Sequence, residues 1–259
     1  MIIGIVQGIT EFLPISSSGH LVVISSVMNW NDQGVFTDIA VHVGTLFAVI
    51  IYLFSYIKKI IIEFFFFNKN SSKERNHLGV KIIFATLPAI IIGFFVYEYL
   101  LQYFRNLVVI GWASIIFGII LFIADQTSKS IKKWEDLKFW EVLIIGLFQV
   151  LAFIPGASRA GVTITGSRIL NVKRDSAAIF SMLLSIPIIA ASLFLGLYDY
   201  SIAGFTTINL TQSILASIVA FITAMLSIHA MMTILQFTNF NIFIIYRIIL
   251  GITLLVFYA

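Results

Sequence analysis

Two short polar stretches interrupt an otherwise apolar chain, and they hold most of the residues able to do chemistry. The first reads Gln7-Gly8-Ile9-Thr10-Glu11-Phe12-Leu13-Pro14-Ile15-Ser16-Ser17-Ser18-Gly19-His20. The second reads Pro155-Gly156-Ala157-Ser158-Arg159-Ala160-Gly161, followed by Thr163, Thr165 and Ser167. Gln7 and Glu11 are four residues apart and share one helix face. A carboxylate inside a bilayer is costly and by default marks a functional site. The competing reading is a structural glutamate hydrogen-bonded to a neighbouring helix. Ser16, Ser17 and Ser18 follow Pro14 and precede an apolar helix from Leu21, so at least one of them serves as an N-cap. That helix start, with its unpaired N–H groups and positive dipole end, suits an anion. Arg159 brings a planar fork that matches phosphate and stays charged in apolar surroundings. Its plain alternative is an ion pair with Glu11. A glutamate, an arginine and several hydroxyls converging on two helix N-termini form a phosphate cradle in either case.

His20 lies three residues after Ser17, where it could orient the serine or shuttle a proton. His77 reads as solvated in a basic loop, and His42 and His229 read as hydrogen-bonding contacts between helices. Arg247 reads as snorkelling or as paired within the bundle. The run Phe64-Phe65-Phe66-Phe67 beside Lys58, Lys59 and Lys69 reads as an interfacial anchor. No cluster has zinc spacing. Glu11, with Gln7 and substrate phosphate oxygens, is the one place for a hard cation such as Mg²⁺ or Ca²⁺. The chain has no cysteine, which excludes disulfides, thiolate metal sites and a thiol nucleophile.

The elements that must position these residues are membrane helices. Of 259 residues 60% are hydrophobic and 11% charged, against about 25% charged in soluble domains. Segments of about 20 apolar residues cross a bilayer. Six such spans are predicted at about 39–57, 80–97, 108–124, 176–197, 211–235 and 242–259. The stretches 2–28 and 139–170 are broken midway by the polar motifs and are predicted as re-entrant helix–turn–helix hairpins, because irregular backbone at membrane depth needs a protein or aqueous lining. No cleavable signal pattern opens the chain.

Lys58, Lys59, Lys69, Lys73, Arg75 and Lys81, then Lys129, Lys132, Lys133 and Lys138, then Arg168, Lys173 and Arg174 mark cytoplasmic segments. The opposite connections hold Asp32, Asp38, Glu98 and Asp199 against Arg105. Threading the chain accordingly gives one all-α polytopic membrane domain over 1–259, with both termini outside. It is an inverted-topology repeat, about 1–124 and 139–259, joined by a cytoplasmic loop at 125–138. Each half is one re-entrant hairpin plus three transmembrane helices. Gly4 and Gln7 correspond to Gly146 and Gln149, and Pro14 and Ser17 to Pro155 and Ser158 with one residue of slip. Such repeats place a site near the midplane, where the two breaks meet.

On these motifs the chain resembles the undecaprenyl-diphosphate phosphatase family of bacterial inner membranes, the bacitracin-resistance type. The first stretch is similar to that family's (Glu/Gln)-xxx-Glu motif with its following serine and histidine. The second is similar to Pro-Gly-x-Ser-Arg-Ser-Gly, with Ala160 in place of the last serine. The resemblance covers the whole chain. It implies hydrolysis of undecaprenyl pyrophosphate to undecaprenyl phosphate and inorganic phosphate, which recycles the lipid carrier of peptidoglycan synthesis and confers bacitracin resistance. It also implies a site on the extracytoplasmic side and a divalent cation. Ser17 matches the nucleophile, Glu11 the base or metal ligand, Arg159 the phosphate clamp, and Ser158 and Thr163 phosphate-contacting hydroxyls; Ser16, at the helix start of the first stretch, is a further phosphate-binding candidate. The first acidic position of the motif is Gln7 here, one carboxylate fewer for metal. The motif admits either Ser17 or His20 as nucleophile. A type 2 phosphatidic acid phosphatase is excluded, because the chain has no Arg-Pro and carries Thr165, not histidine, after Ser158-Arg159. The expected partners are the polyprenyl pyrophosphate and membrane lipids, with a homodimer admitted and no nucleic acid. The rival from another class is a polyprenyl-phosphate transporter or flippase, which needs the same cradle without a nucleophile.

Overall fold

The computed structural model describes residues 1–28, 35–65, 78–103, 106–202 and 210–258. Asp32, Lys69, Lys73, Arg75, His77, Phe66, Phe67 and Arg105 lie outside the described residues, as do the side chains of Phe64, Glu98 and Asp199.

Both polar stretches fall where one helix ends and another begins. Helices α1 (Ile2–Thr10) and α2 (Ser17–Val27) flank the first break. Helices α7 (Phe139–Val150) and α8 (Arg159–Ile169) flank the second, with a short 3-10 turn at Leu151–Phe153. In each pair the two helices pack on one another, giving two hairpins. The remaining helices are α3 (Val35–Tyr52), α4 (Phe54–Phe65), α5 (Leu78–Tyr103), α6 (Leu107–Thr127), α9 (Arg174–Ile202), α10 (Leu210–Phe237) and α11 (Asn241–Tyr258). Five of them, α5, α6, α9, α10 and α11, are long and apolar enough to cross a membrane, and α3 with α4 makes a sixth if counted as one bent span.

That bend corrects the span predicted at 39–57. Helix α3 begins earlier, and the chain turns by 74° between Phe36–Tyr52 and Phe54–Glu63. Leu53 at the bend is 1% exposed and sits in the main apolar core. Past it, α4 places Lys58 and Lys59 on an exposed face. Phe65, from the predicted anchor, is 74% exposed. Many outer-surface side chains are large and apolar, including Phe94, Phe95, Ile116, Phe194 and Leu226, the surface of a multi-pass membrane protein.

Small residues let the hairpins seat closely against the long helices. Helix α1 crosses α10 at Gly4, where an added Cβ would lie 2.4 Å from the Ala216 carbonyl oxygen. Helix α7 crosses α5 at Gly146, where a Cβ would lie 2.5 Å from the Ala85 carbonyl oxygen. Bulk at either position would push a hairpin away from its helix and shift its break, as expected for small-residue contacts in membranes.

Several charges around the loop after α6 are paired. Arg168 and Asp125 are both fully buried and bonded at 2.7 Å, with Arg174 Nε on the same carboxylate at 3.0 Å. Lys132 pairs with Glu141 near the start of α7. Arg168 and Arg174 are therefore structural links between α6, α8 and α9 and not free loop charges.

Candidate active site

The two breaks start their second helices in the same way. Ser16 has φ 75° and its hydroxyl accepts from the Gly19 N–H, capping α2. Ser158 has φ 71° and its hydroxyl accepts from the Gly161 N–H, capping α8. Positive φ costs a non-glycine residue of order 1–3 kcal/mol and is held where a functional turn over-determines it. This geometry corrects the expected correspondence of the two motifs. Ser16 stands where Ser158 does, so Ser17 stands where Arg159 does, and no slip separates this match from that of Gly4 and Gln7 with Gly146 and Gln149.

Ser17 and Arg159, the first residues of α2 and α8, both reach Glu11. The Ser17 hydroxyl donates to Glu11 Oε2 at 2.7 Å. Arg159 Nη2 donates to Glu11 Oε1 at 2.9 Å and approaches the Glu11 carbonyl oxygen at 3.4 Å. Gln7, one turn earlier on α1, donates its amide to Glu11 Oε2 at 2.8 Å. Three donors on one carboxylate describe the ionised form, since a protonated acid would present a donor of its own. Arg159 is fixed from its other side, where Nη1 donates to the Ser181 carbonyl at 3.0 Å, and its guanidinium lies 5.9 Å from the centre of the Phe12 ring. Glu11 is 8% exposed and the Arg159 side chain 12%, so the charges face each other with little water between them. The sequence alternatives for Arg159, ion pair or phosphate clamp, meet in one arrangement.

The other expected site residues sit around this centre in different ways. Thr163 is fully buried one turn into α8, and its hydroxyl is engaged with the Arg159 carbonyl and with Ser181 Oγ at 2.7 Å. It braces Ser181, which in turn holds Arg159. His20 does not turn towards Ser17. Its Nδ1 meets the Ser16 carbonyl at 2.6 Å and its Nε2 meets the Tyr246 hydroxyl, and the imidazole stacks on the Tyr246 ring with centroids 5.6 Å apart. With a carbonyl on Nδ1, that nitrogen carries the proton, and Nε2 is engaged by the Tyr246 hydroxyl. Glu11 is thus the group in direct reach of the Ser17 proton. His42 is partly buried with Nδ1 on the Asp38 carbonyl at 2.7 Å. His229 lies on an exposed face of α10 and is not the interhelical contact expected of it.

Two residues of this neighbourhood escaped the sequence reading, Ser181 and Tyr246, and of the two expectations for Arg247 the one within the bundle holds. Arg247 does not snorkel. It is fully buried and donates to the carbonyls of Pro14, Gly156 and Ala157. An arginine within the apolar last helix was the available signal.

For a divalent cation the donor set is small. Among the described residues no group of three or more His, Asp or Glu side chains gathers. However, Gln7 Oε1 is buried without a hydrogen-bond partner, on the same amide whose nitrogen donates to Glu11 Oε2. One carboxylate and one amide oxygen fit an ion such as Mg²⁺ that takes most of its ligands from water and substrate phosphate.

The chain matches, over residues 1–253, the family described as bacitracin resistance protein BacA. It is 40% identical over 261 residues to undecaprenyl-diphosphatase 1 of Pseudoalteromonas translucida (strain TAC 125), covering 99% of this chain and 97% of that one. It is 40% identical over 262 residues to the undecaprenyl-diphosphatase of Jannaschia sp. (strain CCS1), covering 98% and 96%. Against the undecaprenyl-diphosphatase of Ruegeria sp. (strain TM1040) identity is 38% over 260 residues, covering 98% and 96%.

Proposed function

Because the chain belongs to the bacitracin resistance BacA family, we propose that it hydrolyses undecaprenyl pyrophosphate to undecaprenyl phosphate and inorganic phosphate. The observation that carries this reading is the Glu11 carboxylate receiving the Ser17 hydroxyl at 2.7 Å while Arg159 of the other hairpin holds its second oxygen at 2.9 Å. A hydroxyl paired with a base, and a base oriented by a third group, is the arrangement of an activated nucleophile. A carrier of the same lipid needs the cation and the amides but has no use for that pair.

In this reading the pyrophosphate enters between the starts of α2 and α8, where first-turn N–H groups and dipole ends favour an anion. Arg159 takes the terminal phosphoryl oxygens with its fork. Ser17 Oγ attacks the terminal phosphorus, its proton passes to Glu11, and the bond from phosphorus to the bridging oxygen breaks, releasing the polyprenyl phosphate. Water then attacks the phosphoserine phosphorus, the bond to Ser17 Oγ breaks, that oxygen takes back the proton held by Glu11, and inorganic phosphate leaves with both protons of the water. Ser16 and Ser158 hold the two helix starts, and Thr163 holds Arg159 through Ser181. A divalent ion held by Glu11 and Gln7 would neutralise phosphate charge in the cradle. Most of the rate enhancement comes from fixed positive charge around the phosphoryl group.

The inverted repeat is part of the proposal. It is supported by the matched serine caps, the matched crossings at Gly4 and Gly146, and the alternation of basic segments along the chain. The same alternation supports a mouth on the extracytoplasmic side, and the family reading supports a bacterial inner membrane, where the released carrier lipid would return to peptidoglycan synthesis. The test is ³¹P NMR of purified protein with undecaprenyl pyrophosphate in detergent. Equal growth of inorganic phosphate and lipid monophosphate signals supports the hydrolase. An unchanged pyrophosphate signal, with lipid exchange between leaflets in vesicles, would replace it with the transporter.

A further inference from the structure

Arg247 is the most deeply buried cation near the site, and its partners are main-chain carbonyls of two different turns. Nη1 donates to the Pro14 carbonyl at 3.3 Å, in the first break. Nη2 donates to the Gly156 and Ala157 carbonyls, both at 2.9 Å, in the second. The side chain is fully buried and its Nε has no partner. The preceding residue, Tyr246, holds His20 of α2. The surroundings are cut to fit the guanidinium: a Cβ at Gly161 would lie 2.6 Å from Nη1, and one at Gly118 would lie 3.5 Å from the Arg247 Cβ. A charge this far from water is costly, and three carbonyl bonds satisfy only part of its donor capacity.

We infer that Arg247 is a positioning residue that fixes the two turns against each other, so that Ser17 and Arg159 face the same phosphoryl group. The inference rests on the hydrolase reading above. It follows from where the bonds go. Pro14 lies two residues before Ser16, and Ala157 lies one before Ser158, so the bonded carbonyls sit just ahead of the two capping serines. Any rotation of one turn relative to the other must stretch a bond to this one guanidinium. The fork matters, because one nitrogen serves each turn, whereas an ammonium must reach both from a single nitrogen. The positive charge also lies behind both helix starts, where it adds to the potential that an anion meets.

The experiment uses the whole protein in detergent, with spin labels on Ser18→Cys and Ile154→Cys, one on each side of the paired turns, in a chain without native cysteine. Distances are read by pulsed electron resonance with Arg247 and with Arg247→Met, and steady-state hydrolysis is read in the unlabelled proteins. The expected result is a widened or displaced distance distribution in Arg247→Met, together with a fall in kcat of about 10²-fold, the effect of a displacement near 1 Å, and a KM within about threefold. Arg247→Lys should recover only part of kcat, and added guanidinium should recover more than added ammonium. If Arg247→Met does not remain monodisperse, Gly161→Ala carries the same two readouts, since its methyl displaces Nη1. An unchanged distance distribution overturns the inference, whatever happens to activity. Absence of hydrolysis by the parent protein removes the hydrolase reading instead, and the distance measurement still decides whether Arg247 fixes the turns.

Discussion

Replacing Glu11 by Gln keeps the shape of the side chain and removes one charge. In the native site Oε1 faces the Arg159 guanidinium at 2.9 Å, and Oε2 faces two donors, Gln7 Nε2 at 2.8 Å and Ser17 Oγ at 2.7 Å. A glutamine must place its own NH₂ at one of those ends. At the first it meets the guanidinium, and at the second it meets the Gln7 amide and turns the Ser17 hydroxyl around. Each way one buried donor loses its acceptor, at a cost of about 1–3 kcal/mol. The base for Ser17 is also gone, which costs about 10²–10⁴-fold in rate, equivalent to about 3–5 kcal/mol at 1.36 kcal/mol per decade. The expected outcome is therefore a kcat lowered by at least about a hundredfold in a phosphate-release assay, with the protein still folded. Adding Ser17→Ala to Glu11→Gln should cost little more, because groups acting as one unit are non-additive. A Glu11→Gln protein with more than a third of native kcat would refute the role of Glu11 as the base.

Other outcomes follow from the same geometry. Cysteines at Lys129 and Leu210, introduced singly, should react with an impermeant thiol reagent from opposite sides of the membrane; reaction of both from one side would break the inverted repeat. Chelator should abolish phosphate release and Mg²⁺ or Ca²⁺ should restore it, and Gln7→Glu should lower the cation concentration needed for half activity; full activity in chelator would remove the ion from the site. Asp125→Ala leaves Arg168 buried without its carboxylate, so thermal unfolding in detergent should show a loss of about 3–5 kcal/mol; an unchanged melting temperature would contradict the burial of that pair.

The pairing of Glu11 with Arg159 was legible in the sequence because charged side chains in apolar stretches are too costly to stand alone. The breaks were legible because Pro14 and Pro155 stop helices and serines start them. The bend after α3 was not, since Tyr52-Leu53-Phe54 carries no breaking residue and the one feature that marks the turn, the buried Leu53, depends on tertiary packing. His20 and Arg247 were visible as residues but not as partners. Their bonds run to Tyr246 and to turns more than 80 residues away in sequence, as the separation of 226 positions from His20 to Tyr246 illustrates. The same holds for Arg168 and Arg174, which read as loop charges until Asp125 stands beside them. Sequence spacing reports who shares a helix face, and tertiary packing decides which of two polar groups meet.

The central claim is that Ser17 carries the phosphoryl group. The most direct test is a rapid quench of the native protein with ³²P-labelled undecaprenyl pyrophosphate, followed by peptide mapping, beside turnover measured in Ser17→Ala and His20→Ala. Label on the peptide holding Ser17, a loss of turnover of several orders of magnitude in Ser17→Ala with substrate still bound, and a smaller loss in His20→Ala are the results predicted. Substantial turnover in Ser17→Ala beside a dead His20→Ala, or label on His20, would contradict it.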